Sequence, residues 1–191
     1  MLFPAWETFY IVLGSAAGAL TGLMFVVVAL IADAGVGTED AVHAYATPTV
    51  VHFSGVLVLS MILVVPWATV FQLLVALAVF GAAGIGYMLI VLRRALRQTS
   101  YEPVFEDWLF YTALPIAAYL TVLVGSWLLR QQRTTAGLFV TAAGSVLLLC
   151  VGIRNAWDNV IYIAIGRREA DKTKTPRPDL NPSAGQDVPS G

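Results

Sequence analysis

Charged side chains are scarce in this sequence. Asp, Glu, Lys and Arg make up 12% of its 191 residues and apolar residues make up 58%, whereas soluble domains carry roughly 25% charged residues. The eleven basic and twelve acidic residues give a formal net charge of −1. A chain without an excess of positive charge lacks the field that attracts nucleic acid, so we expect no nucleic-acid partner and instead expect a lipid bilayer around most of the protein.

Cysteine and histidine are also rare, with a single cysteine, Cys150, and two histidines. One cysteine excludes a disulfide framework and a zinc–cysteine cluster within the chain. The sequence contains no His-Glu-x-x-His and no Gly-x-Ser-x-Gly, and the glycines between Gly81 and Gly86 lack the lysine of a phosphate-binding loop. We therefore expect no catalytic residues, no metal and no cofactor, and we predict a protein without enzymatic activity.

What the sequence has instead is long apolar runs. Residues 41–92 contain no Asp, Glu, Lys or Arg over 52 positions, and a single helix of that length would reach roughly 78 Å against about 30 Å for a bilayer's hydrocarbon core. The run therefore predicts two spans and a turn. Val65-Pro66-Trp67 is the expected turn, because proline suits the first turn of a helix and tryptophan favours the membrane interface. Thr47-Pro48-Thr49 and Gly81–Gly86 are alternative sites of a break or kink.

The other charge-free runs also have spanning length, so the sequence predicts an all-α polytopic bundle of about five transmembrane helices. The predicted membrane domain covers residues 1–168. Its spans are expected at 8–32, 42–65, 67–92, 108–129 and 134–166. Residues 169–191 offer almost nothing apolar to bury, and we expect them to form a disordered cytoplasmic tail.

Basic residues indicate the orientation of the spans. Arg93, Arg94 and Arg97 follow the third span, and five more basic residues lie after the fifth, on the same side of a five-span bundle; the other side has Arg130 and Arg133. Because basic loops stay in the cytoplasm, we predict an N-terminus outside and a C-terminus inside a bacterial cytoplasmic membrane. The aromatic residues expected at the outer interface are Trp6, Trp67 and Trp127, and those at the inner interface are Tyr101, Trp108 and Trp157.

Glycines recur every four residues in the first span, at Gly14, Gly18 and Gly22. This spacing places them on one helix face, where a neighbouring backbone can approach closely. Two interpretations remain open. The face contacts another helix of the same subunit, or it is an interface between the subunits of a homo-oligomer.

His52 is a candidate intramembrane site. Ten residues of helix from the cytoplasmic side at Val42 would place it about 15 Å deep, near the bilayer centre. Ionisable groups at that depth serve as proton carriers, ligands or pore linings, but the sequence favours a neutral histidine that is hydrogen-bonded to a serine, a threonine or a carbonyl group on the next helix. An intrachain bis-histidine haem is disfavoured, because His43 lies on the same predicted helix.

The densest polar segment is Arg154-Asn155-Ala156-Trp157-Asp158-Asn159, within a helix of about 32 residues. Arg154 and Asp158 are four residues apart and can form an ion pair on one face, and Asn155 and Asn159 form a second polar row. One interpretation places the segment at the cytoplasmic interface, with the arginine reaching the headgroups. The other places the ion pair inside the membrane, where it would line an ion path.

Three hypotheses for the function follow. The first is a structural or transport-related membrane protein, most simply an accessory or scaffold subunit that binds a membrane-protein partner. The second is a homo-oligomeric channel or small transporter that uses the polar residues along its path. The third is a redox or haem-linked membrane protein with His52 as a ligand. Sparse charge within the predicted spans favours the first.

Overall fold

A computed structural model of the chain describes residues 3–34, 39–97 and 108–174, and side chains within 3–30, 47–93, 96 and 108–161. All regular structure in these residues is helical, with no strand, and five helices are long and apolar enough to cross a membrane. The predictions of an all-α fold and of five such helices are confirmed. The helices are α1 (Pro4–Ala34), α2 (Glu39–Val64), α3 (Val70–Arg97), α4 (Leu114–Arg130) and α5 (Thr134–Lys174).

The turn between α2 and α3 lies where the sequence predicted it, but α3 begins later than residue 67. Thr69 and Gln72 form a capping box, with the Thr69 N–H donating to Gln72 Oε1 at 3.3 Å and the Gln72 N–H donating to Thr69 Oγ1 at 3.4 Å. The two side chains of a capping box together satisfy two free N–H groups, whereas a proline at the helix start only removes one. The indole of Trp67 donates to the Ile62 carbonyl at 2.7 Å and holds the turn against α2.

Prolines begin or perturb helices without breaking the predicted spans. Pro4 begins α1 four residues ahead of the predicted boundary, and Pro48 lies inside α2. A π-helical turn, Leu109–Ala113, precedes α4, and Pro115 stands in the first turn of α4. The Leu114 N–H donates to the Leu109 carbonyl, five residues back, because a proline at the next position cannot donate the bond that would continue a regular α-helix.

Two helix ends correct the predicted boundaries. Residues 131–133 close α4 with a Schellman motif, in which Gln132 has a φ of 59° and the Arg133 N–H donates to the Leu128 carbonyl at 3.0 Å. α5 then continues to Lys174, beyond the expected end at 166 and into the predicted tail. No glycine or proline interrupts the chain between Gly166 and Pro176, so the helix can propagate until the residue before proline. Residues 175–191 lie outside the described residues, as does Tyr101.

Consecutive helices pack antiparallel. α4 and α5 share the most extensive interface, α1 packs mainly on α2, α3 packs mainly on α4, and α2 also packs on α5. The helix contacts are close because glycines remove side-chain bulk: a Cβ atom on Gly137 would lie 2.9 Å from the Gly125 carbonyl oxygen, and one on Gly81 would lie 2.6 Å from Leu123 Cδ2. α2, α4 and α5 therefore form the centre of the bundle, with α1 and α3 at its sides.

Candidate functional site

The outside of this bundle is apolar, unlike the surface of a water-soluble protein, and its largely apolar inside also holds polar side chains. Large apolar side chains cover its outside; Phe71, for example, is 68% exposed. Polar side chains lie inside. Eight of them are buried among the described residues: Thr49, His52, Ser60, Ser126, Thr141, Ser145, Asn155 and Asn159.

Three of the buried hydroxyl groups bond to backbone carbonyls and so need no other partner. Thr141 donates to the Gly137 carbonyl at 2.9 Å and Ser145 donates to the Thr141 carbonyl at 2.8 Å, both within α5. Ser126 of α4 donates to the Leu74 carbonyl of α3 at 3.2 Å. These groups stabilise helices and their contacts, as serine and threonine commonly do in apolar bundles.

A different situation holds where α2 meets α5. The amide of Asn159 donates to Thr49 Oγ1 at 3.5 Å, and Phe53 packs so closely on Gly152 that a Cβ there would lie 2.6 Å from Phe53 Cε1. Because α2 and α5 run antiparallel, these two contacts lie on either side of one level of their interface. His52 of α2 and Asn155 of α5 lie between them, on the same helix faces. We call these four polar residues, Thr49, His52, Asn155 and Asn159, the polar seam.

Two members of the polar seam have buried atoms without a hydrogen-bond partner. His52 and Asn155 are both 0% exposed, and neither ring nitrogen of the histidine and neither amide atom of the asparagine is hydrogen-bonded to protein. Leaving such a group unsatisfied costs about 1–3 kcal/mol in a protein interior. The polar seam therefore holds four of the six unpartnered buried side-chain atoms of the described core; the other two are the hydroxyl oxygens of Tyr10 and Ser60.

α4 closes a third side of the polar seam through Tyr119. Its ring centroid lies 6.3 Å from that of His52, and its hydroxyl oxygen would be 3.2 Å from a Cβ atom on Gly55, one turn along α2. Gly84 of α3 leaves room for the same ring, since a Cβ there would collide with it. The glycines at positions 55 and 84 thus allow a tyrosine to reach the centre of the bundle.

Arg154 and Asp158 form the ion pair that their four-residue spacing predicted, but on another face of α5. Their side chains are 41% and 35% exposed. The guanidinium carbon of Arg154 lies 5.5 Å from the centroid of the Phe110 ring, a cation–π contact. The ion pair is thus separated from Asn155 and Asn159 and does not join the polar seam.

The three glycines of α1 have different surroundings. A Cβ atom on Gly14 would lie 2.9 Å from Ser60 Cβ, and one on Gly18 would lie 3.9 Å from Leu57 Cδ1, so both positions face α2. Nothing lies within 4 Å of a Cβ on Gly22. The glycine face therefore contacts α2 within the chain over its first part and is open beyond it.

The sequence singled out His52, Asn155 and Asn159 separately, and the structure brings them together. Thr49 and Tyr119 were not predicted as functional residues. A usable signal for Thr49 was its spacing of three from His52, which places both on one face of a helix. No local pattern relates residue 119 to residue 52.

No group of three or more His, Cys, Asp or Glu residues that could hold a metal ion occurs within the described part of the chain. Comparison of the chain with models of known protein families, with curated proteins and with solved structures finds no match.

Proposed function

We propose that this chain is an integral membrane protein inserted as five spans, and that it works without enzymatic activity as an accessory or scaffold subunit for another membrane protein. The observation that carries membrane insertion is the apolar outside of the bundle. Water does not favour an outside made of large apolar side chains around an inside that holds serine, threonine, asparagine and histidine, whereas lipid does. Charged residues are expensive in lipid, and the 20 uncharged residues of α5 before Arg154 suffice to cross the hydrocarbon core. We therefore expect the Arg154–Asp158 ion pair at the cytoplasmic interface, where headgroups and water screen it.

The proposed orientation places the N-terminus outside and the C-terminus in the cytoplasm. In an antiparallel bundle, the beginning of α1, the α2–α3 turn and the α4–α5 turn lie at one end. Trp6 and Trp67 lie near that end, and Trp6 packs edge-on against Phe139 with ring centroids 4.8 Å apart. Together with Trp127 they supply the aromatic residues of an outer interface. Basic residues lie in the last two turns of α3 and along the end of α5.

Cysteine labelling tests insertion and orientation together. In a Cys150→Ala background, single cysteines replace Ala68 and Gln131 at the outer turns, or Leu96 and Ser183 at the cytoplasmic side. A membrane-impermeant maleimide should label the first two on intact spheroplasts and the last two only after permeabilisation. The reverse pattern contradicts the orientation, and release of the protein by alkaline carbonate contradicts insertion.

The scaffold role is favoured by the neutral character of the polar seam. Its four side chains are uncharged amide, hydroxyl and imidazole groups enclosed by packed apolar residues, and the described ion pair lies outside it. Crosslinking in cells followed by native mass measurement in mild detergent tests the role. We expect a complex with a second membrane protein in fixed proportion. Ion flux through liposomes that contain the purified chain alone would contradict the proposal.

A homo-oligomeric channel or small transporter is the second candidate, and the open position at Gly22 favours it. Beyond its contact with α2, the glycine face of α1 is free to receive a helix of another subunit. A symmetric ring in the native mass spectrum supports this candidate, and a strict monomer contradicts it. Gly22→Leu should then lower the mass of the ring, and Arg154→Ala should change its ion flux if the ion pair lies along the path.

A further inference from the structure

The polar seam contains buried polar atoms without hydrogen-bond partners in the protein. Four buried atoms have no protein partner: Nδ1 and Nε2 of His52, and Oδ1 and Nδ2 of Asn155. Buried polar groups in folded proteins bond to protein or to ordered water with few exceptions. Three buried hydroxyl groups of the same bundle obey that rule, whereas those of Tyr10 and Ser60 do not. Four of the six unpartnered buried side-chain atoms among the described residues lie at one level of the α2–α5 interface.

Hydrogen bonds between His52 and Asn155 alone cannot satisfy these four atoms. A neutral imidazole offers one donor and one acceptor on opposite sides of its ring, and an amide offers a donating nitrogen and an accepting oxygen. A direct bond between the two residues uses one atom of each and leaves the others unpaired. One helical turn further into the bundle, the neighbours on the same faces are Val56 and Val151, which are buried and cannot bond.

We propose that His52 and Asn155 hold at least one internal water molecule between α2 and α5. Water has two donors and two acceptors, so a single molecule can bond to the imidazole and the amide at once, and internal waters commonly make about three such bonds. The Asn159–Thr49 hydrogen bond lies one turn closer to the proposed cytoplasmic end and offers the next polar groups. The site takes a small uncharged hydrogen-bonding ligand, and it lets the imidazole N–H exchange its proton with water inside an apolar bundle.

This water site does not rest on the scaffold role, since a bundle with either proposed function could contain it. It predicts a property that close packing alone does not, which is rapid proton exchange at a fully buried ring. Histidine is well suited to the measurement, because His43 is the only other histidine in the chain. A His43→Gln variant of the full chain therefore reports on one imidazole.

Proton-detected solid-state NMR of that variant, labelled with ¹⁵N-histidine in lipid bilayers, tests the proposal. We expect magnetisation transfer from water to the ring N–H of His52, and loss of the N–H signal within minutes after transfer to D₂O. Adding Asn155→Leu should abolish the water transfer, because the amide half of the site is gone. Adding Ser145→Ala, which removes a buried hydroxyl bonded to backbone, should leave it unchanged.

The proposal is overturned if the His43→Gln protein shows no transfer from water, or if its ring N–H survives for hours in D₂O. It is also overturned if Asn155→Leu keeps the full transfer. The first two results need no further variant, so a failure of Asn155→Leu to fold leaves the test intact. Circular dichroism and elution volume establish that each variant compared is folded.

Discussion

α5 carries two polar rows one residue apart, and they have opposite surroundings. Arg154 and Asp158 are partly exposed and paired with each other, while Asn155 and Asn159 are buried against α2. One residue turns a helix by about 100°, which is enough to move a side chain from the outside of the bundle to its centre. The charged row is on the outer face, and the neutral row is on the inner one.

Because of this difference, the neutral row is a stronger candidate for a functional role than the charged row. From the sequence, the charged residues were the stronger candidates for an ion path. In the structure the ion pair compensates its own charge and rests on Phe110, so it has a local explanation. The neutral row meets His52 and leaves polar atoms without partners, so it is the row that packing explains least.

The largest effect is expected when a charge is placed in the inner row. Asn155→Asp would bury a carboxylate beside the neutral imidazole of His52 and away from Arg154, which is engaged with Asp158 on the outer face. An uncompensated buried charge costs about 3–5 kcal/mol. We expect a large fall in Tm or a loss of folded protein, measured by fluorescence-detected size exclusion after heating.

The matched control makes the reverse exchange in the outer row. Asp158→Asn should change the free energy of unfolding by less than about 1 kcal/mol, since exposed ion pairs contribute little. Similar losses of stability from Asn155→Asp and Asp158→Asn would mean that the two rows do not differ in their surroundings.

The next effect concerns the close contact between Phe53 and Gly152, beside the polar seam. Gly152→Ala adds a Cβ atom 2.6 Å from Phe53 Cε1, and overpacking of this kind costs about 1–3 kcal/mol. We expect a lower Tm, and partial recovery when Phe53→Leu is added. Gly86→Ala is the control, because nothing lies within 4 Å of its Cβ; the better helix propensity of alanine should leave stability equal or slightly higher. Recovery should not occur if α2 and α5 do not meet at this level.

A smaller effect is expected from the hydrogen bond at the end of the seam. Thr49→Val removes the acceptor of the Asn159 amide, and hydrogen bonds between helices in membranes are worth about 0.6 kcal/mol on average. A double-mutant cycle with Asn159→Leu should give a coupling energy of that size. Thr21→Val serves as the control, because Thr21 donates to the Ala17 carbonyl of its own helix at 2.8 Å and should show no coupling to Asn159→Leu.

The smallest effect is expected from Arg154→Gln. This change removes an ion pair and a cation–π contact at a residue that is 41% exposed, so the loss should stay below about 1 kcal/mol after solvent screening. Thermal unfolding in detergent at low and high salt checks it. A loss as large as that of Asn155→Asp would show that the charged row is buried in the assembled protein.

The helices and the turn were predictable because their signals are local. A charge-free run twice the spanning length implies a turn, and Pro66 and Trp67 indicated where. The extension of α5 to Lys174 was missed, because a charged composition was taken to mean disorder although no helix breaker precedes Pro176. The capping box at Thr69 and Gln72 was present in the sequence as well, three residues apart.

The polar seam was not predictable as a unit. His52 and Asn155 are separated by about a hundred positions, and only the packing of α2 on α5 brings them to one level. Their pairing depends on Gly152 admitting Phe53 and on Gly55 admitting Tyr119, and each of these fits depends on the register of two helices. A single sequence holds no signal for such a register, whereas the spacing of Arg154 and Asp158 along one helix does predict their pairing.

The most direct test of the account is a nitroxide scan of α5 in proteoliposomes. Single cysteines at positions 151–161 in a Cys150→Ala background are spin-labelled, and the collision rate with dissolved oxygen is measured at each position by electron paramagnetic resonance. The account predicts maxima at Ile153, Trp157 and Val160, which face lipid, and minima at Gly152, Asn155 and Asn159, which face α2. Maxima at the asparagines, or no periodicity along the helix, would contradict it.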